Sequence, residues 1–378
     1  MTGTAQKKKQ FNIIKFLRQN VVMTIALIAA VITCFFVPVD RQYLGYFDLK
    51  TLTCLFCVLA VVCALRNICF FYVLAQRIVV LFKNARMCVL ALVYITFIGS
   101  MLIANDMALL TFLPLGYFVL TETKKEKYMA FTFIMQNISA NLGGMLTPFG
   151  NPQNLYLYSY FNIPNLEFMG IMAFPFVLSI ALITLCCFIF VKPEELTLPD
   201  SDVVLDRKRT VIYLILFALS IAIVFRGIPY WIGLIIIPLV LIFADRDALK
   251  KVDYPLLLTF VFFFIFSGNM ARIDAVHKLF SWLLAKNTLV VSILSCQVIS
   301  NVPSAILLSQ FTGDYAALLR GVNIGGVGTL ISSLASLITF RTYSHHNPGK
   351  TKSYILKFSL FNFAFLIILT AAMLIFNF

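Results

Sequence analysis

From Phe168 to Val191 the chain runs without a charged side chain, and comparable apolar stretches recur along its 378 residues. Crossing the roughly 30 Å hydrocarbon core of a bilayer takes about 17–25 such residues. Backbone groups in hydrocarbon must bond within the segment, so a stretch of this length and composition reads as helix. Spans fall near 21–37, 50–66, 128–163 (interrupted), 167–191, 210–226, 228–244, 253–267, 313–343 (interrupted) and 354–377. Two further apolar stretches, 87–120 and 287–311, carry a polar break in the middle. Hydrophobic residues make up 61% of the chain and charged residues 12%, against about 45–50% and 25% in soluble domains. The expected class is an all-α polytopic membrane protein. A cytosolic enzyme, a nucleic-acid-binding domain and a disulfide-stapled secreted scaffold are excluded.

A net charge of +14 would suggest a nucleic-acid partner in a soluble protein; here its distribution sets topology. We place the N-terminus in the cytoplasm and let 87–120 and 287–311 enter and leave by one face. The cytoplasmic side then holds 23 of the 30 Lys and Arg, clustered at 7–18, 66–86, 124–127, 192–209, 246–251 and 341–357. Arg41, Lys50, Arg226, Arg272, Lys278 and Lys286 fall outside, and Arg320 lies within a span. Cationic loops resist translocation. Full crossing by either interrupted stretch would cancel the bias, so both read as re-entrant hairpins. The first apolar run continues to Pro38 with no small-residue cleavage site, so it reads as a retained span. The expected location is the plasma membrane. Cys54 and Cys57 form a CxxC without a second pair or a nearby His, which reads as buried thiols rather than a metal site. His277, His345 and His346 are expected in loops.

Compared with itself, the chain repeats. Around 141 it reads NLGGMLT and around 323 NIGGVGT, so Asn141 matches Asn323, Gly143 and Gly144 match Gly325 and Gly326, and Thr147 matches Thr329. Each motif follows one hairpin, broken at Ile103-Ala104-Asn105-Asp106 or at Ile299-Ser300-Asn301-Val302-Pro303. Before each hairpin an amphipathic stretch (67–84 and 268–285) reads as a helix lying along the interface. The expected units are an N-terminal repeat (1–191), a cytoplasmic linker (192–209) and a C-terminal repeat (210–378). The charge map inserts the first hairpin from inside and the second from outside, so the repeats are inverted. Inverted repeats with discontinuous helices characterise secondary transporters.

Backbone freed from a helix in hydrocarbon costs several kcal/mol per unsatisfied group, so a break persists where it lines a polar cavity. Half-helices are expected to begin after Asn105, Asn151, Asn301 and Gly326, each offering free N–H groups and about half a positive charge. Convergent helix starts make an anion site. Asn105, Asn141, Thr147, Asn151, Ser300, Asn301, Asn323 and Thr329 are therefore candidates for substrate binding, with Arg320 as grip or fixed counter-charge. Oxygens at Asn105, Asp106, Gly143, Asn301 and Gly325 are candidates for a coupling ion. Asp106 has three readings: a Na⁺ ligand, a proton carrier, or a structural partner of Arg320. Asp253, Glu167 and Asp314 are expected at the interfaces, solvated. No resident cofactor or metal is expected; Na⁺ or H⁺ serves for coupling.

The loop S-A-N-L-G-G-M-L-T-P-F-G-N-P-Q-N (139–154), the tip S-N-V-P-S-A (300–305) and G-V-N-I-G-G-V-G-T (321–329) resemble the broken helices and second hairpin of the ion transporter superfamily. That group includes divalent-anion/sodium symporters, citrate transporters, arsenite permeases and sodium/proton antiporters. The resemblance implies a scaffold plus a mobile transport domain, an elevator-like alternating-access cycle and a homodimer. In the dicarboxylate branch each tip carries Ser-Asn-Thr; here the tips are Ala104-Asn105-Asp106-Met107 and Ser300-Asn301-Val302, without the Thr. The expected function is secondary transport of a small inorganic or organic anion coupled to Na⁺ or H⁺. The alternative is a cation/proton antiporter carried by Asp106. An intramembrane enzyme lacks its machinery here, with no HExxH and no paired intramembrane aspartates. A passive channel is separated from a carrier by coupling to a gradient.

Overall fold

The computed structural model describes residues 16–17, 20–196 and 205–376. Lys7–Lys9, Lys15, Arg18, residues 197–204 of the linker and the end of the last span lie outside them. Apart from one antiparallel bridge between Asn84 and Glu195, the described chain is helical. Helix α1 (Val21–Phe36) leads. The first half continues with α2 (Leu49–Asn67), α3 (Phe70–Val80), α4 (Ala85–Ile103), α5 (Asn105–Glu122), α6 (Met129–Gly143), α7 (Pro152–Tyr160) and α8 (Asn165–Phe190). A pair, α9 (Arg207–Val224) and α10 (Tyr230–Ala244), and the short α11 (Arg246–Lys250) lead into the second half. That half comprises α12 (Tyr254–Ala271), α13 (Asp274–Lys286), α14 (Thr288–Ile299), α15 (Asn301–Leu308), α16 (Tyr315–Ile324), α17 (Leu334–His346) and α18 (Thr351–Ile375).

Five stretches are long and apolar enough to cross a membrane among the described residues: Leu49–Asn67, Ala85–Ile103, Asn165–Phe190, Tyr254–Ala271 and Pro348–Ile375. Outward faces of α1, α8, α10 and α18 carry exposed Ile25, Phe35, Val177, Ile189, Ile235, Phe243, Leu360 and Ile367. Helices apolar on the outside as well as the inside suit a lipid surround. The protein is a multi-pass membrane protein. Its inner post is α2, whose residues from Leu55 to Leu65 are buried save Phe56 and which packs against α9, α10 and α11. Cys54 and Cys57 are free thiols inside this packing.

The element order of α2–α8 recurs in α12–α18, and so do local devices. Asp48 caps α2 by accepting from Thr51 N–H, as Asp253 caps α12 by accepting from Leu256 N–H. Asn84 caps the first hairpin arm through Met87 N–H, and Asn287 the second through Val290 N–H, both at 2.9 Å. Such caps satisfy donors that helix starts leave open. Both hairpins turn at a residue forced to positive φ: Ala104 at φ 68°, ψ 153° and Ser300 at φ 75°, ψ 160°. That corner of backbone space is essentially a glycine region.

Several expectations need adjustment. The fourth half-helix starts at Leu334 rather than after Gly326, because Ser333 supplies the cap through Ser336 N–H and residues 325–333 coil as turns. The hairpins are unequal. Arms α4 and α5 have 19 and 18 residues, about 28 and 27 Å at 1.5 Å per residue, whereas α14 and α15 have 12 and 8. His277 lies on α13, and His345 and His346 end α17. His346 stacks on Tyr117 with ring centroids 3.8 Å apart, and burial pulls its imidazole pKa down. Of the interfacial acids, Glu167 and Asp314 are exposed as expected and Asp253 is half-buried, and each also holds a local bond. Glu167 accepts from the Tyr315 hydroxyl at 2.6 Å, Asp314 caps α16 through Ala317 N–H, and Asp253 caps α12.

Candidate functional site

The two Asn-x-Gly-Gly motifs, 182 positions apart in sequence, meet. Asn141 near the end of α6 and Asn323 near the end of α16 are 2% and 1% exposed. Asn151 joins them: its amide donates to the Asn141 carbonyl at 3.2 Å and to Asn323 Oδ1 at 3.1 Å. Asn323 Nδ2 in turn donates to Asn154 Oδ1 at 2.6 Å. Gln153 Nε2 approaches Asn323 Oδ1 at 3.5 Å. The hairpin tips close on the same place. Asn105 Nδ2 reaches Asn141 Oδ1 at 3.4 Å. A methyl group added at Gly326 would lie 3.1 Å from Asn301 Nδ2 and 3.4 Å from Asn141 Oδ1, so Gly326 lets the second tip and two broken helices share one centre.

Three helices, α5, α7 and α15, start at this centre, and four, α4, α6, α14 and α16, end there. Helix starts bring unbonded N–H groups and positive potential; helix ends bring carbonyls and negative potential. Pro152 opens α7, where its missing N–H costs nothing. At each hairpin tip the asparagine folds its own Oδ1 back onto the next backbone N–H, Asp106 N and Val302 N, both at 2.9 Å. The lining is therefore carboxamide: donors able to meet an anion, acceptors able to meet a desolvated cation. Buried side-chain oxygens at the tip and in the first broken helix lack a donor among the described residues, namely Asp106 Oδ1, Ser139 Oγ, Asn151 Oδ1 and Gln153 Oε1. Buried acceptors without donors are uncommon in folded proteins and call for a reason.

Other candidates are placed differently. Thr147 and Thr329 brace the hairpins: their hydroxyls donate to the carbonyls of Met101 and Gln297, each three residues before its tip, at 2.9 and 3.1 Å. Gly143 abuts the Phe97 carbonyl, with Ser100 Oγ 2.7 Å from where a Cβ would stand, and Gly325 faces Cys296 Cβ at 2.8 Å. Close approach of helix to hairpin is thus what both glycines permit. Ser300 donates to the Ser332 carbonyl at 3.3 Å and flanks the tip. Arg320 turns to α8, where Nε donates to the Ile171 carbonyl at 3.1 Å.

Some residues that shape the site escaped sequence reasoning. Gln297 donates to the Gly325 and Val327 carbonyls and accepts from Thr329 N–H, so one side chain holds the second break open. Asn154 does the same in the first break, donating to the carbonyls of Gly144, Met145 and Thr147. Asn137 ties α6 to Ser336 of α17 and Asn362 of α18. Their signal was present: amides inside apolar stretches, where each needs a partner.

Compared with known proteins, the sequence pattern of the citrate transporter family (CitMHS) matches residues 11–318, which take in both hairpins and the first broken helix. A protein described as an uncharacterized transporter in Methanocaldococcus jannaschii is 34% identical over 298 residues, 77% of this chain and 80% of that protein. Inner membrane protein YbiR of Escherichia coli is 29% identical over 283 residues, 72% of this chain and 74% of that protein.

Proposed function

The chain belongs to the citrate transporter family, and on that premise we propose that it is a secondary active transporter, not an enzyme, moving a small inorganic or organic anion coupled to Na⁺ or H⁺. One observation carries the reading: amides from both halves bond to each other where broken helices and hairpin tips converge. Amide donors and the starts of α5, α7 and α15 supply the anion's hydrogen bonds. Oxygens on the tip of the first hairpin and in the first break, Asp106 Oδ1 among them, supply the coupling ion. In this proposal the halves are inverted in the membrane, the N-terminus is cytoplasmic, and the hairpin-bearing unit moves against α1, α2, α9 and α10 in an elevator-like cycle within a homodimer. A plasma-membrane location is in keeping with the name of the Escherichia coli relative, an inner membrane protein.

The test is uptake by purified protein in liposomes. Radiolabelled citrate, succinate, phosphate and arsenite are offered with and without inward Na⁺ and H⁺ gradients. Uptake of an anion that collapses with the gradient is the expected result; absence of gradient-dependent flux for all four overturns it. A second reading, cation/proton antiport, draws on the enclosed and unpartnered Asp106 Oδ1. It requires that Na⁺ or Li⁺ dissipate a pH gradient and that Asp106→Asn abolish this. Anion flux surviving in Asp106→Asn favours the first.

A further inference from the structure

Away from the amide centre, a cavity of about 480 Å³ is lined by Cys63, Arg66, Asn67 and Lys251. It lies where the end of α2 meets the turn after α11, on the side the charge distribution assigns to the cytoplasm. Its walls are tied together. Lys251 Nζ donates to Asn67 Oδ1 at 2.8 Å, Asn67 Nδ2 to Asp245 Oδ2 at 2.9 Å, and Cys63 Sγ reaches the Lys251 carbonyl at 3.4 Å. Arg66 closes the other side, its guanidinium meeting Met107 Sδ at 3.7 Å. Met107 stands two residues beyond Asn105 on α5, so the cavity borders the hairpin tip that touches the amide centre.

The charge arrangement is unusual for a structural contact. Neither Arg66 nor Lys251 forms an ion pair among the described residues. The acids nearby make hydrogen bonds rather than ion pairs: Asp245 caps α11 through Ala248 N–H and accepts from Asn67 in the cavity wall, and Asp253 caps α12. Two cations therefore face one space of the size that small-molecule sites occupy. A guanidinium fork and an ammonium suit a carboxylate or phosphate-like oxyanion.

We propose that this cavity is a second oxyanion site at the inner mouth of the protein, where Arg66 and Lys251 hold a water-soluble anion beside the first hairpin tip. It deepens the permease reading and rests on it for the direction of travel. Its test reads binding rather than flux, so the two can fail separately. Full-length protein is melted in phosphatidylcholine nanodiscs with citrate, inorganic phosphate or sulfate at constant ionic strength, since a bound ligand raises apparent stability. Each variant is referred to its own ligand-free melting curve. Arg66→Gln and Lys251→Gln are each expected to weaken citrate or phosphate binding about tenfold, the effect of losing one charge-assisted contact. Lys250→Gln, whose side chain pairs with Asp247 at 2.9 Å, is expected to leave binding unchanged. Asn323→Ala, which breaks the amide centre, is expected to spare this binding. Binding lost in Asn323→Ala but kept in both cavity variants overturns the second site and leaves the permease reading standing. Stabilisation by phosphatidylglycerol nanodiscs alone, with none from the three soluble anions, overturns it in favour of a lipid headgroup. Soluble anion binding that depends on Arg66 and Lys251, without gradient-driven uptake, sustains the site and removes the permease.

Discussion

At the scale of single residues, Asn323 does the most joining. Its Oδ1 accepts from Asn151 and its Nδ2 donates to Asn154 and to the Leu319 carbonyl. Asn323→Ala strips Asn154 Oδ1 of its donor and leaves Asn151 Nδ2 with the Asn141 carbonyl alone in a closed interior, at about 1–3 kcal/mol. Thermal unfolding in detergent should show that loss, and no anion should stabilise the amide centre afterwards. An Asn151→Ala, Asn323→Ala pair should cost less than the two single changes added together, because both remove one bond. Asn141, Asn323 and the tip asparagines were legible in the sequence because polar residues beside Gly-Gly in hydrocarbon have few tolerable uses. Gln297 and Asn154 carried the same signal of an amide in an apolar stretch but no matched spacing, since a side chain that braces its neighbours' carbonyls repeats no motif. Arg320 is a related case: depth predicts that a charge finds a partner, not which helix supplies it, and the Ile171 carbonyl of α8 is one partner here.

At the scale of elements, helix existence and most boundaries could be read from apolar length and from Asp or Asn caps. The start of α17 could not, because the turns before it are held by Gln297 and Ser332, far off in sequence or polar in themselves. The hairpin tips store strain at Ala104 and Ser300. Ala104→Gly relieves a conformation that costs about 1–3 kcal/mol and loses part of the gain to unfolded-state entropy. A net rise of about 1 kcal/mol in unfolding free energy is expected, and Ala104→Val should destabilise; both are read from denaturation midpoints. The base of the first hairpin is strapped by residues 194–196. Ala85 N–H donates to the Glu194 carbonyl at 2.7 Å and Leu196 N–H to that of Lys83 at 3.0 Å. The Glu194 carboxylate gathers Lys127, Lys125 and the Tyr128 hydroxyl. Those donors hold its pKa down to about 2 from 4.5. A depressed carboxyl stabilises the folded state above its unfolded pKa, and the contribution fades as pH falls through the folded one. The strap should therefore loosen between about pH 4.5 and 2. Hydrogen exchange at Ala85 and Leu196 should rise across that window in the native protein and be high and flat in Glu194→Gln.

At the scale of the whole molecule, the charge distribution makes a prediction about sides. In a Cys69→Ser background, Lys127→Cys should react with a membrane-impermeant maleimide only from the inner face, and Lys278→Cys only from the outer. Labelling of both from one face would undo the assigned topology. The convergence of the two distant breaks was expected from the matched motifs, whereas which amides join them needed three-dimensional packing to appear. That convergence bears on how such a protein responds to voltage. Carboxamides hold dipoles but no net charge, so the field across the membrane acts on any bound ion and on Asp106 and Arg320. One elementary charge crossing 100 mV is worth about 2.3 kcal/mol. In the proposed cycle, the charge moved per turnover is then that of the cargo and its coupling ions together with whatever Asp106 and Arg320 carry through the field.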